Sequence, residues 1–411
     1  MKKILALILA ISMLLCGCGG AAQKPAESNQ ETEAVSAENV EAAAETEAAT
    51  EAATEPETEP ATEPPTEPPK VYYNPLNGEI LDAPFDGRIY MNPISNTNDA
   101  SIPHVGAWQA DIIMEMFVNG SIIRLLALYS DPSEVQAIGS TRSTRLMFND
   151  ICQHYNAILT HAGGDSRVLA DARDRGITNY NIDGIMSWAG DLAKGVAYRD
   201  KDHPKEKYGE YNLYGIGPGI MAYVESEGVQ ISGMPETDYG LVFAEDGTPE
   251  DGEPADTVNI TLVYGQSRKD TGMVYNPETG KYVFNQYGKE MHDLLTDEPE
   301  AFENVIVMIT EISMNGPFHV ADFLADGIGY YACNGQIAPI YWTCDGEDQP
   351  FRFFNQKGEP LQMGMGKSYI AICSPASVVT WEPGAEVVVE ETEAVEAEAQ
   401  ETEPAETGAV G

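Results

Sequence analysis

Basic residues are scarce in this chain: 23 lysines and arginines stand against 66 aspartates and glutamates in 411 residues, a formal net charge of −43. A surface so acidic repels nucleic acid and anionic lipid headgroups, so neither is expected as a general partner, and any anion site has to be built locally. Cysteine is also sparse. Cys152, Cys333, Cys344 and Cys373 are the four in the body of the chain, with no CxxC pair and no metal-ligand spacing, so no metal and no cofactor is expected. The acids of residues 345–348 lack a calcium-loop pattern, and Ser166 has no nucleophile elbow around it. No apolar run reaches the roughly 20 residues of a spanning helix.

What is present starts with Lys2 and Lys3 ahead of an apolar run from Ile4 to Leu15, the pattern of an export signal. The run closes on Leu15-Cys16-Gly17-Cys18. This resembles the lipobox of bacterial lipoproteins, an aliphatic residue and two small ones before the cysteine that takes the lipid. Residues 1–17 then read as signal peptide and Cys18 as the lipidation site, which would hold the chain by its lipid on the extracytoplasmic side of the membrane. Residues 18–70 continue mostly in Ala, Glu, Thr and Pro. Such a stretch cannot bury a core and reads as a disordered tether. Residues 382–411 form a second acidic, disordered tail without Lys or Arg.

The remainder, residues 71–381, is long enough for two domains with real hydrophobic cores. The tails hold 23 of the 66 acids, which leaves 43 acids against 19 bases in this core, still about 24 negative. Residues 71–234 alternate strand-like and helix-like stretches, which predicts an α/β or α+β domain. Residues 235–381 read as a mostly antiparallel β domain. Its aromatics, among them Tyr330, Tyr331, Tyr341, Trp342, Phe351, Phe353 and Phe354, alternate as core and cross-strand packing does rather than as a sugar platform. A two-residue turn at Asn334-Gly335 would set Cys333 opposite Gln336 and away from Cys344, against a bridge between the two cysteines.

Candidate site residues gather in the first domain. Residues 110–118 and 121–129 read as a hairpin around Asn119-Gly120, apolar on both faces. With Val118 opposite Ser121, Glu115 falls opposite Arg124, a charged pair in an apolar setting, and either a fold brace or part of a site. Gly139-Ser140-Thr141-Arg142-Ser143-Thr144-Arg145 follows, with Ser140 or Thr141 as cap of a helix through Gln153. Arg142 and Arg145 would then form a carboxylate or phosphate clamp, or else pair with local acids. Next, residues 157–160 read as a strand, His161-Ala162-Gly163-Gly164 as a tight turn and residues 165–175 as a helix. In that order Gly163 and Gly164 would offer backbone amides to an anion. His161 could shuttle a proton or simply be hydrogen-bonded.

Together with Tyr198-Arg199-Asp200 and Asn212-Leu213-Tyr214, the segments from Ala110 to Glu115, Ile123-Arg124, residues 139–143 and His161-Ala162-Gly163-Gly164 fall in an order similar to that of the YerB-like bacterial lipoproteins. In the second half, His292-Asp293, Asn304-Val305-Ile306-Val307 and Gly364-Met365-Gly366-Lys367-Ser368-Tyr369-Ile370 resemble that family's C-terminal companion domain. The resemblance spans nearly the whole core and implies architecture and location. It implies no reaction, because the family's function is unknown. One departure bears on catalysis: the family's Pro-His-Asn-Leu-Tyr stands here as Glu210-Tyr211-Asn212-Leu213-Tyr214, without the histidine. Arg199 and Asn212 survive, which suits binding.

Three classes of function follow, in this order. The first is a lipoprotein that binds an anionic ligand, such as a cell-wall fragment or peptide carboxylate, through Arg124, Arg142, Arg145, Arg199, Asn212 and the Gly163 and Gly164 amides. The second is a non-catalytic scaffold or assembly lipoprotein with a protein partner. The third is a cell-envelope hydrolase or transferase, with Glu115 or Asp165 as general acid or base and His161 assisting. No nucleophile with base and orienter can be assembled, so the reading leans away from an enzyme.

Overall fold

In the computed structural model, residues 70–97, 104–188, 195–201 and 211–384 are described. The segments read from sequence as signal peptide and tether, with Cys18, lie outside them up to residue 69, as do the residues beyond 384. Among the described residues strand accounts for 43% and helix for 13%. The four α-helices among the described residues precede residue 227: α1 (Leu146–His154), α2 (Ser166–Asp174), α3 (Ile182–Trp188) and α4 (Gly217–Ser226).

One eleven-stranded sheet runs through both halves of the sequence. Ser368–Cys373, from the end of the chain, lies parallel between Asn304–Ile309 and Ile112–Asn119. From there the sheet continues through Ile122–Tyr129, Tyr90–Ser95 and Ile158–His161 to Asn179–Asn181. Ile112–Asn119 is buried up to its last residue and Ser368–Cys373 throughout. This is the burial expected of interior strands covered on both faces, and it explains why their sequences are apolar without alternation. One face packs against a six-stranded sheet that includes Thr257–Tyr264, Ser267–Asn276 and Lys281–Gln286, with Val258, Ile260, Met273 and Phe284 in a common core with Ile113 and Phe117. The other face packs Met114, Met116 and Leu126 against Met147, Phe148 and Ile151 of α1. Each such side chain, fully buried, contributes about 1.5–3 kcal/mol.

The first hairpin departs from the register read from sequence. Its turn residues are Gly120 and Ser121, Asn119 pairs with Ile122, and the pairing then skips Val118, so that Phe117 meets Ile123 and Glu115 meets Leu125. Arg124 therefore stands opposite Met116, not Glu115. Because side chains alternate across a strand, the one-residue displacement puts Glu115 and Arg124 on opposite faces of the sheet. The later hairpin keeps its expected register, with Cys333 opposite Gln336. Cys152, Cys333, Cys344 and Cys373 are all buried free thiols. Tyr331, Trp342, Phe351 and Phe353 are core, whereas Tyr341 is 49% exposed.

Neither Ser140 nor Thr141 caps a helix. Thr141 instead donates to the Ile138 carbonyl (3.0 Å) and sits in an extended crossing segment whose amides reach Leu213 and Pro93. Arg145 occupies the N-cap of α1 without a side-chain bond, while Asp165 caps α2 by accepting from the Arg167 amide. The crossing segment leaves no room at Gly139: a Cβ there would stand 2.6 Å from the Thr141 nitrogen and 2.7 Å from the Leu213 carbonyl oxygen. Gly139→Ala is therefore expected to destabilise the protein by about 1–3 kcal/mol, read as a lower denaturation midpoint in urea.

Candidate functional site

Four arginines from three segments line one cavity of about 370 Å³. Arg124 reaches it from the second strand of the hairpin, Arg142 and Arg145 from the crossing segment, and Arg199 from the short strand Ala197–Arg199. Backbone bonds hold the crossing segment in place: Arg142 donates to Pro93, Ala162 donates to Arg142, and Thr144 donates to Gly163. Arg199 donates to Asn212 at 2.9 Å and to Asp183 of α3 at 2.7 Å, so it is oriented by an amide and a carboxylate. The Arg142 guanidinium lies 4.9 Å from the centre of the Tyr211 ring, a cation–π distance.

The electrostatics of Arg124 and Arg145 are unusual. Arg124 is 3% exposed, yet its guanidinium is held by the Ser143 carbonyl and by no carboxylate among the described residues. Arg145 donates to Asn119 and to the carbonyls of Ser143 and Thr144, again without a carboxylate. Burial pushes the Arg124 pKa well below the usual arginine value, and the charges of Arg145 and Arg142 push it further. Burial, with Arg142 adding, brings Arg145 down to about 10. An ionised group taken out of water without a counter-charge costs several kcal/mol. The fold carries that cost at Arg124, where the charges of Arg145 and Arg142 add to it.

The turn after Ile158–His161 sits beside the cavity but does not supply its donors. Ala162 lines it, whereas neither Gly163 nor Gly164 does. The Gly163 amide is already taken by the Asn181 side chain at 2.9 Å, and Gly164 packs against Thr144 and Leu169. The glycine turn expected to offer amides to an anion therefore does not line this cavity, and the Gly163 amide is spent on holding the turn. His161 is buried, with Nδ1 against the Gly163 carbonyl at 2.8 Å and Nε2 against Asn179 at 3.3 Å. Asp165 is turned to Arg167, whose side chain and amide hold its carboxyl down at about 2.

Burial pushes the His161 imidazole below its ordinary value, as it does for His154 and His319. The unfolded chain therefore takes up these protons more readily than the folded one. The stability these groups contribute is complete above about pH 6.5 and is lost as the pH falls through and below that value. Melting temperatures are expected to fall between about pH 7 and pH 5, and His161→Asn should flatten that fall without altering the neutral-pH plateau as much.

Glu115 belongs to a different and closed place. Its carboxylate accepts from Asn96 and Lys269, each at 2.5 Å, on one oxygen, and from Thr271 at 2.7 Å and Tyr369 at 2.5 Å on the other. Glu115 is 0% and Lys269 3% exposed. The carboxylate is saturated with donors and unreachable from the arginine cavity, so the two charged groups read together from sequence separate into an internal brace and a cavity wall. Asp183 and Lys269 escaped sequence reasoning, as did the role of Tyr369 beside Glu115. Only Lys269 left a signal, as a cation at an inward position of an alternating strand, in line with Thr271 and Met273.

Comparison with known proteins follows this layout. Residues 79–230 match the family described as Protein of unknown function (DUF3048) N-terminal domain, and residues 260–370 match its C-terminal domain. The protein named "Putative lipoprotein YerB" of Bacillus subtilis (strain 168) is 23% identical over 307 residues, which span 72% of this chain and 85% of that protein. The crystal structure of the YerB protein from Bacillus subtilis superposes with a TM-score of 0.60 at 19% identity, covering 75% of this chain and 99% of that one. The structural likeness establishes a shared fold.

Proposed function

This chain belongs to the DUF3048 family through both its N- and C-terminal domains, and from that premise we propose that it is a lipid-anchored protein of the extracytoplasmic membrane face whose arginine cavity binds an anionic ligand of the cell envelope. The lipobox-like Cys18 and the name of the Bacillus relative support the anchor. The single observation behind the binding reading is Arg124, buried to 3% exposure without a carboxylate partner among the described residues, in a cavity it shares with Arg142, Arg145 and Arg199. A bound anion would supply the missing counter-charge through charge-assisted hydrogen bonds. A second cavity of about 340 Å³ beside residues 338–340 has a weaker claim. Its charged pair, Lys357 and Glu250, is exposed and already satisfied.

A thermal-shift screen of the full chain against anionic cell-wall fragments, short peptides, nucleotides and phosphosugars tests this reading. A ligand at 100 times its dissociation constant adds about 2.7 kcal/mol of stability. Arg142→Ala is expected to abolish the shift while leaving the ligand-free protein folded. If no anion shifts the wild-type protein, the cavity is not a ligand site, and the search moves to protein partners.

A further inference from the structure

The closed cluster around Glu115 holds two groups that can react with each other. Lys269 Nζ and Asn96 Nδ2 each lie 2.5 Å from the same carboxylate oxygen, Glu115 Oε1. Thr271 at 2.7 Å and Tyr369 at 2.5 Å donate to the other oxygen, which holds the carboxylate against both nitrogens. An amine and a carboxamide on one carboxylate oxygen have the parts of an amide exchange: a nucleophile, a leaving nitrogen, and an atom able to carry a proton from the first to the second.

The setting suits that reaction. Glu115, Asn96 and Lys269 are all buried, and the Lys269 nitrogen lies 5.1 Å from the centre of the Phe284 ring. Burial pushes the Lys269 amine below the ordinary lysine value, against the pull of the Glu115 charge, and a neutral amine is the nucleophilic form. With water excluded, hydrolysis does not compete for the amide carbon. An ion pair that braces the fold accounts for Lys269 and Glu115. It does not account for Asn96, whose Oδ1 is buried without a partner among the described residues, a cost that an amide kept only for bracing would not repay.

We propose that Lys269 and Asn96 join in an intramolecular isopeptide bond, with Glu115 as the catalytic residue. Glu115 takes a proton from the Lys269 ammonium, and the free Nζ attacks Asn96 Cγ. The Cγ–Nζ bond forms and the Cγ–Nδ2 bond breaks, while a second Nζ proton passes through Oε1 to Nδ2, which leaves as ammonia. Of the three ammonium protons, one stays on the new amide, one leaves in the ammonia, and one stays on Glu115 as a neutral carboxylic acid able to donate to Oδ1. No oxidant, reductant or further reactant enters, and a buried ion pair gives way to neutral groups. Asn96 follows the strand Tyr90–Ser95 of the large sheet, and Lys269 lies on Ser267–Asn276 of the sheet packed against it. The bond therefore ties the two sheets, and the two matched family segments, together. The four described cysteines are free thiols and supply no such tie.

Peptide mapping of the full chain by mass spectrometry tests the bond. Trypsin should release residues 89–124 and 269–281 as one branched peptide, lighter than the two together by one ammonia, because a bonded Lys269 is no longer a cleavage site. Lys269→Arg and Asn96→Ala should release the two segments separately. Glu115→Gln, which keeps the shape but cannot carry the proton, should give at least about tenfold less of the branched peptide. The branched peptide at wild-type yield in Glu115→Gln would overturn the role given to Glu115. Ammonia lost at an Asn-Gly pair such as Asn119-Gly120 leaves the two segments separate and counts against the bond. Separate segments alone from the wild-type protein, after incubation at neutral pH, overturn the proposal whatever the variants do. In Asn96→Ala the amine and the carboxylate are intact and cannot be joined, so the contribution of the ion pair itself to stability is read in that background.

Discussion

Lys269→Met is expected to destabilise the protein by about 3–5 kcal/mol, the range for stripping the partner from a buried charge. The methionine keeps the bulk of the lysine stem, so little of the loss comes from a cavity. The loss comes from Glu115, which would remain at 0% exposure with Asn96, Thr271 and Tyr369 but no cation. The network also joins the two family domains: Glu115 and Asn96 come from residues 79–230, and Lys269, Thr271 and Tyr369 from residues 260–370. Chemical denaturation should therefore show one cooperative transition at a much lower midpoint, and not the loss of one half first. Glu115→Gln combined with Lys269→Met should recover most of the stability, because a neutral amide still accepts from Tyr369 and Thr271. A single Lys269→Met variant with a wild-type midpoint would show that the pair carries little of the fold.

The second large effect has the opposite sign. Arg124→Met removes a charge that is buried without a counter-charge, and the ligand-free protein is expected to gain about 1–2 kcal/mol while losing its response to anions. Burial alone already disfavours the charged form of Arg124, and its nearest charged neighbours, Arg145 and Arg142, are both cations. A residue kept for packing would behave differently: its removal would destabilise the protein and leave ligand response intact. Differential scanning calorimetry with and without ligand separates the two outcomes. Lys269 and Arg124 are both buried cations, and what distinguishes them is the carboxylate that one has and the other lacks.

Much of the arginine cavity was legible in the sequence. Arg142 and Arg145 stand in a short polar segment between apolar runs, and Arg199 with Asn212 lies in a pair of motifs that the structure brings together by pairing Arg199 with Leu213. These residues are scarce cations on a strongly acidic chain, so their clustering carried information. The strand-rich second half and the register at Cys333 were legible for a similar local reason, a two-residue turn between apolar runs. The hairpin at Gly120 was not, since skipping Val118 is a choice made by packing on both faces, and a single skipped residue moves Glu115 to the other side of the sheet. Glu115's true partner lies more than 150 positions away on Ser267–Asn276, and nothing local in the sequence ties those two strands together. A glycine turn before a helix is a common anion site, yet here Gly163 and Gly164 do not line the cavity, and the Gly163 amide is taken by the Asn181 side chain.

The cavity's role is tested most directly by soaking crystals of the protein with tungstate, a heavy tetrahedral dianion, and locating it by anomalous scattering. The expected result is a peak within hydrogen-bond distance of the Arg124 and Arg145 guanidinium groups, beside the Ser143 carbonyl, that disappears in Arg124→Met. An empty cavity in crystals that take up tungstate elsewhere would contradict the account, and would leave the buried Arg124 as part of the fold alone.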